Sequence, residues 1–196
     1  MDFFFDELMP YIQGYLPVSD VPADNYIAGY SMGGAGTLMY ALEHPERFGK
    51  AAVLGASMRE HDFLEPYLKM SGNEFRKLAL SDPRKFPTEY GVPSLGITRK
   101  EINMIARYET VEDYVYSAEC TSVKFWKCIG NRNLPEMLFC CGDKDECFEK
   151  VEKIEAEVVR RNISTVHFKY LPDLDHSRGD EVIRCAIEWL ASEQEA

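Results

Sequence analysis

The G-x-S-x-G motif from Gly29 to Gly33 constrains the fold of this chain more than any other feature of its sequence. The apolar run Asn25 to Tyr30 predicts a strand that leads into the motif, and a helix is predicted over Ala35 to Glu43. A serine at such a sharp strand-to-helix turn has its side chain lifted above the edge of the sheet. The glycines lack Cβ atoms, so strand and helix can approach closely. The motif therefore predicts that Ser31 is a nucleophile at the end of a strand.

Three further apolar runs predict strands, and helical segments separate them. The strands are predicted over Lys50 to Gly55, Leu134 to Cys141 and Val166 to Leu171, and helices over Asp2 to Leu16, Phe148 to Arg161 and Asp180 to Ser192. The first strand, its helix and the second strand form a βαβ unit, which pairs in parallel through a right-handed crossover. The predicted fold class is therefore α/β, with a parallel sheet of about four strands.

Residues 58–133 have a different pattern, in which charges, aromatic residues and prolines are mixed and no strand alternation is evident. This segment is too long for a simple crossover between strands. It is predicted to be a helical cap inserted into a single domain that covers residues 1–196.

An acid and a base follow later strands, as nucleophilic catalysis by a serine requires. Asp143 and Asp145 lie in the turn after the third strand, and His176 lies in the loop after the fourth. Groups at the carboxyl ends of parallel strands collect at one edge of the sheet. In this chemistry the imidazole takes the proton of the serine, a carboxylate orients the imidazole, and the backbone N–H of Met32 binds the oxyanion.

Ser31 and Asp145 also have simpler interpretations. A serine at this position can cap the following helix. Asp145 can serve as a turn residue that binds backbone N–H groups. Asp143 stays open as the alternative acid, because both aspartates lie in one short turn.

The blocks that carry these residues resemble the C-terminal two thirds of the esterase-D-like α/β-hydrolases, the group of S-formylglutathione hydrolases, tributyrin esterases and feruloyl esterases. The matching blocks are Ile27–Gly36, His44–Phe48, Leu134–Pro135, Gly142–Asp145, Asp175–His176 and Glu188–Leu190. The elbow block is the most specific of them, and the cap matches weakly. By position in the family pattern, the resemblance implies Ser31 as nucleophile, Asp145 as acid and His176 as base.

The family's early strands have no counterpart in this sequence, and in the family they carry the loop that donates the second oxyanion N–H. The resemblance therefore implies an N-terminally truncated α/β-hydrolase sheet. Without those strands the first strand becomes an apolar edge, which favours pairing with another chain. Either the sequence is a truncated product or another chain covers this edge, so a homo-oligomer through the sheet edge is one expectation.

Composition narrows the choice of partners. A net charge of −11 and a pI of about 4.9 disfavour nucleic acid and anionic membranes. The six cysteines include no C-x-x-C pair, so zinc is not expected. The turn after the third strand lacks the glycine of a calcium loop. The expectation is a cytoplasmic protein with reduced thiols, no metal, no cofactor and a small-molecule ester as substrate.

The leading functional prediction is a serine carboxylic-ester hydrolase that works through an acyl-enzyme on small acyl esters or acylated sugars. A catalytically impaired hydrolase or a binding domain, with an incomplete oxyanion hole, is the first alternative. An acyltransferase of the same fold is the second.

Overall fold

The structure is a computed structural model and describes residues 3–58, 62–81, 99–117, 119–130 and 133–192. After a π-helical stretch, Phe3–Leu8, the main elements are α1 (Met9–Tyr15), β1 (Tyr26–Tyr30), α2 (Met32–Glu43), β2 (Lys50–Leu54), α3 (Gly72–Ser81), α4 (Arg99–Ile105), α5 (Val111–Val115), α6 (Thr121–Cys128), β3 (Glu136–Gly142), α7 (Phe148–Arg160), β4 (Val166–Leu171) and α8 (Gly179–Ala191). The chain divides into two compact units, one of Met1–Ser57 with Gly130–Ala196 and one of Met58–Ile129.

The first unit is built on one sheet of four strands in the order β1-β2-β3-β4, and all three pairings are parallel. On one face, α8 packs through Val182 and Ala186 against Leu54 and Leu138. The other face meets α2, because a Cβ added to Gly29 would point at this helix and successive residues of a strand face opposite sides. The prediction of an α/β fold with about four parallel strands is confirmed.

The predicted helix after Ser31 is confirmed, but it begins at Met32 rather than at Ala35. Gly33 and Gly34 have low helix propensity, which hides the first turn from the sequence pattern. Close packing explains why glycines stand there. A Cβ on Gly34 would lie 2.8 Å from the carbonyl oxygen of Leu54, inside van der Waals contact.

The second unit is helical in its described residues and has a core of its own. Buried side chains of α3, α4 and α5 form this core, among them Phe75, Ile105 and Tyr114. A capping box begins α5, in which Thr110 and Asp113 bond each other's backbone N–H. The prediction that 58–133 is a cap within a single domain stays a prediction, and residues 59–61, 82–98, 118, 131 and 132 of it lie outside the described residues.

β1 is an edge strand, since among the described residues it pairs only with β2. Tyr26 on this strand is 46% exposed, and Ala28 is exposed as well. The homo-oligomer predicted through this edge stays a prediction. Among the helices of the described residues, none combines the length and the apolar composition that a bilayer crossing needs.

Lys50 is a buried cation that caps the C-terminus of α8. Its Nζ donates to the carbonyl oxygens of Trp189 at 3.2 Å and Ser192 at 2.7 Å, and the residue is only 1% exposed. The last carbonyls of a helix have no intrahelical donor and carry partial negative charge. The lysine therefore joins the start of β2 to the end of the closing helix.

Replacing this lysine with methionine is expected to lower the free energy of unfolding by about 2 kcal/mol, because the carbonyls at the helix end lose a charged donor. Chemical denaturation followed by circular dichroism measures the change. Lys153→Met, at an exposed position of α7, is the matched control and should shift stability by less than about 0.5 kcal/mol. Equal stability of Lys50→Met and wild type would show that the cap contributes nothing.

Candidate active site

Ser31 lies in a strained turn between β1 and α2. Its backbone has φ 58° and ψ −119°, a left-handed conformation that non-glycine residues rarely adopt. Its N–H donates to the carbonyl oxygen of Leu54 at 2.7 Å, which fixes the turn to β2. The serine side chain makes no capping hydrogen bond to α2. The capping interpretation of Ser31 is therefore wrong, and its hydroxyl is turned to another partner.

That partner is His176, from the loop between β4 and α8. The Oγ of Ser31 lies 2.8 Å from Nε2 of His176, and Nδ1 of the same ring lies 2.9 Å from Oδ2 of Asp145. A ring protonated at Nδ1 donates to the carboxylate and leaves Nε2 as an acceptor for the serine hydroxyl. The three side chains thus form one continuous chain of hydrogen bonds from hydroxyl to carboxylate.

Burial differs sharply along this chain of hydrogen bonds. The Asp145 side chain is 1% exposed, whereas the His176 side chain is 33% exposed. The second carboxylate oxygen of Asp145 accepts the N–H of Cys147 at 3.0 Å. Both oxygens of the buried acid are therefore bonded, and its orientation is fixed from two sides.

Asp143, the alternative acid, has a different partner. Its Oδ1 accepts the N–H of Asp173 at 2.8 Å, and it lies on the surface. Lys144 donates to the side chain of Asp173 at 2.6 Å, and its N–H donates to the carbonyl oxygen of Leu174 at 3.0 Å. This turn is thus tied to the loop that carries His176, and it is Asp145 that the structure brings to the imidazole.

Met32 is the first residue of α2, beside the nucleophile. The first N–H groups of a helix have no intrahelical acceptor, and the helix dipole places positive charge there. Met32 is 81% exposed. The backbone N–H of Met32 therefore belongs to the positive end of α2, next to Ser31.

Two residues that the sequence did not predict as part of the site, Glu146 and Tyr30, lie against His176. Glu146 Oε2 is 3.6 Å from Nδ1 of the imidazole. The Tyr30 ring stacks on the imidazole with centroids 5.1 Å apart. Tyr30 directly precedes Ser31, and Glu146 directly follows Asp145. This adjacency is the only sign in the sequence that either residue belongs to the site.

Cys147 also lies beside the acid, but it is suited to packing rather than to nucleophilic attack. A hydrogen bond with Cys141, then burial, and then the charge of Asp145 raise the pKa of the Cys147 thiol. A thiol is nucleophilic only as the thiolate. The cysteine therefore stays protonated, which makes it a poor nucleophile.

By distance alone, three side chains of the described residues could hold a metal ion. One ligand atom from each of Asp145, Glu146 and His176 lies within 4.8 Å of the others. An ion bound to Nδ1 would replace the proton that the ring shares with Asp145. An ion bound through Nδ1 and the hydrogen bond from His176 to Asp145 therefore exclude each other.

A parallel sheet with a serine elbow, a following acid and a final histidine defines the fold of an α/β-hydrolase. Residues 1–62 match the family model Esterase, described as "Putative esterase". A comparison with curated proteins found no match. The N-terminal third of the chain is thus similar to that esterase family.

Solved structures support the same fold. S-formylglutathione hydrolase FrmB from Staphylococcus aureus matches with a TM-score of 0.62 and 20% identity over 95% of this chain and 61% of its own. Fluorophosphonate-binding serine hydrolase F from the same organism matches with a TM-score of 0.64 and 22% identity, over 97% of this chain and 63% of its own. A ferulic acid esterase matches with a TM-score of 0.54 and 19% identity, over 96% of this chain and 57% of its own. The chain thus spans about three fifths of the length of these structures.

Proposed function

We propose that this protein is a serine carboxylic-ester hydrolase that forms an acyl-enzyme on Ser31. The observation that carries the proposal is the unbroken hydrogen-bond chain from Ser31 through His176 to the buried Asp145, with contacts of 2.8 and 2.9 Å. The match of the N-terminal third to an esterase model supports it. Small acyl esters and acylated sugars are the proposed substrates.

In the proposed reaction, the Oγ of Ser31 attacks the acyl carbon while Nε2 of His176 takes the hydroxyl proton. The imidazolium then gives this proton to the departing alkoxide, and the alcohol leaves. A water molecule, deprotonated by the same nitrogen, then attacks the acyl carbon. The bond from this carbon to Oγ breaks, the imidazolium returns the proton to Oγ, and the acid is released. The carboxylate of Asp145 stabilises the imidazolium in both halves of the reaction.

The oxyanion of each tetrahedral intermediate receives a hydrogen bond from the N–H of Met32. This donor lies at the N-terminus of α2, where the helix dipole favours negative charge. Such preorganised donors act most strongly on charge that develops in the transition state.

Hydrolysis of p-nitrophenyl acetate tests the proposal. Wild type is expected to release p-nitrophenol, because Nε2 of His176 is placed to accept the proton of the Ser31 hydroxyl. Ser31→Ala is expected to abolish this release. The Ser177→Ala variant, with a change in an exposed serine of the histidine loop, should keep more than half of the wild-type rate. Undiminished hydrolysis by Ser31→Ala would rule the proposal out.

A second candidate function is a binding domain with impaired catalysis. The edge position of β1 among the described residues favours this candidate. The proposed oxyanion hole favours it too, because Met32 is the one donor that the proposed reaction includes. Loss of one oxyanion donor typically lowers kcat about a hundredfold to a thousandfold. Such a protein would bind ester ligands but turn them over slowly, so a strong equilibrium interaction without measurable turnover would favour this candidate.

A further inference from the structure

Tyr30 precedes the nucleophile and contacts the base in two independent ways. Its hydroxyl donates to the backbone carbonyl oxygen of His176 at 2.5 Å. Its ring stacks on the imidazole with an interplanar angle of 28°. The residue therefore holds both the backbone and the ring of His176.

Two glycines enclose the Tyr30 ring, which shows that its position is built into the fold. A Cβ on Gly55 would lie 2.5 Å from Cε2 of the ring, and one on Gly179 would lie 2.8 Å from Cε1. Gly55 follows β2 and has φ +52°, and Gly179 begins α8. Any larger residue at either position would displace the ring, so the tyrosine has little freedom to leave the histidine.

We propose that Tyr30 is a positioning residue that sets the distance between the Ser31 hydroxyl and the His176 imidazole, a role that rests on the proposed function. Tyr30 and Ser31 are consecutive residues of one strand end, so a bond from Tyr30 to the histidine loop joins the base to the nucleophile. Asp145 holds the far side of the imidazole at Nδ1. Asp145 thus fixes the imidazole ring of His176, and Tyr30, on the strand that precedes Ser31, fixes the backbone of His176.

The phenol keeps its proton over the range in which the site would work. Burial, and after it the negative charge of Asp145, raises the pKa of Tyr30 to about 12. The hydroxyl therefore remains a donor to the His176 carbonyl at neutral and mildly alkaline pH.

The test replaces Tyr30 with phenylalanine, which keeps the stacked ring and removes the hydroxyl. With p-nitrophenyl acetate, kcat is expected to fall about tenfold, the value of one lost hydrogen bond, while KM stays within twofold. The rate of labelling by a fluorophosphonate should fall by a similar factor. Tyr26→Phe is the matched control, because it makes the same change in the same strand on an exposed side chain, and its kcat should equal that of wild type.

A normal kcat in Tyr30→Phe, together with loss of activity in Ser31→Ala, would overturn the positioning role and leave the proposed function standing. Full activity in Ser31→Ala would overturn both. A fall in kcat in Tyr30→Phe, with the kcat of Tyr26→Phe equal to that of wild type, would support the role. Should that variant fail to fold, the wild-type protein provides the test, since nuclear Overhauser contacts between the Tyr30 and His176 rings are expected and their absence would contradict the proposal.

Discussion

Replacing Asp145 with asparagine is expected to lower kcat for p-nitrophenyl acetate about ten-thousandfold, with little change in KM. The amide presents an N–H where the carboxylate accepts a proton from Nδ1, so the imidazole adopts the other tautomer and its Nε2 no longer accepts the serine proton. The negative charge that stabilises the imidazolium is lost as well. Steady-state kinetics at pH 7 and pH 8 measure the effect.

Asp143→Asn is the matched control, because it makes the same change two residues earlier in the same turn. An asparagine oxygen can still accept the N–H of Asp173, so kcat is expected to stay within about threefold of wild type, as for most surface substitutions. Equal losses in the two variants, or a larger loss in Asp143→Asn, would mean that Asp145 is not the acid of this site.

Gly29→Ala is expected to destabilise the protein by about 3 kcal/mol or more. The added Cβ would lie 2.3 Å from the carbonyl oxygen of Gly33 and 2.9 Å from Oγ1 of Thr37. Backbone atoms cannot rotate away as a side chain can, so β1 and α2 must separate. Urea denaturation measures the loss, and the distorted elbow should also lose fluorophosphonate labelling.

Gly36→Ala, in the interior of the same helix, should act in the opposite direction. Nothing lies within 4 Å of a Cβ at this position. Alanine favours the helix over glycine by about 0.5–1 kcal/mol, so this variant is expected to gain stability. If both substitutions changed stability by the same amount, the close approach of strand and helix at Gly29 would be the wrong explanation for the motif.

The sheet could be predicted from the sequence because its signals are local. Apolar runs of strand length predict the strands, and the helix between the first two predicts that they pair in parallel. The glycines at the turn predict that Ser31 lies at the carboxyl end of the first strand. That placement also predicts that Ser31 and His176 lie at one edge of the sheet, since every parallel strand ends there. The structure brings these two side chains within 2.8 Å.

Features that depend on tertiary contacts could not be predicted in this way. Asp143 and Asp145 share one turn, and only the three-dimensional path of that turn buries Asp145 beneath the imidazole. Lys50 stands at the start of an apolar strand, but its burial depends on the end of α8, which is 139 residues away. The contact of Tyr30 with His176 spans 146 residues and leaves no periodic pattern.

Covalent labelling by a fluorophosphonate, located by peptide mass spectrometry, tests the central claim most directly. The claim is that His176 and Asp145 activate the hydroxyl of Ser31, and a fluorophosphonate reacts only with an activated serine. We predict one adduct per chain, on the peptide that contains Ser31, lost in Ser31→Ala and strongly slowed in His176→Ala. A folded wild-type protein that stays unlabelled, or that is labelled on another residue, would contradict the account.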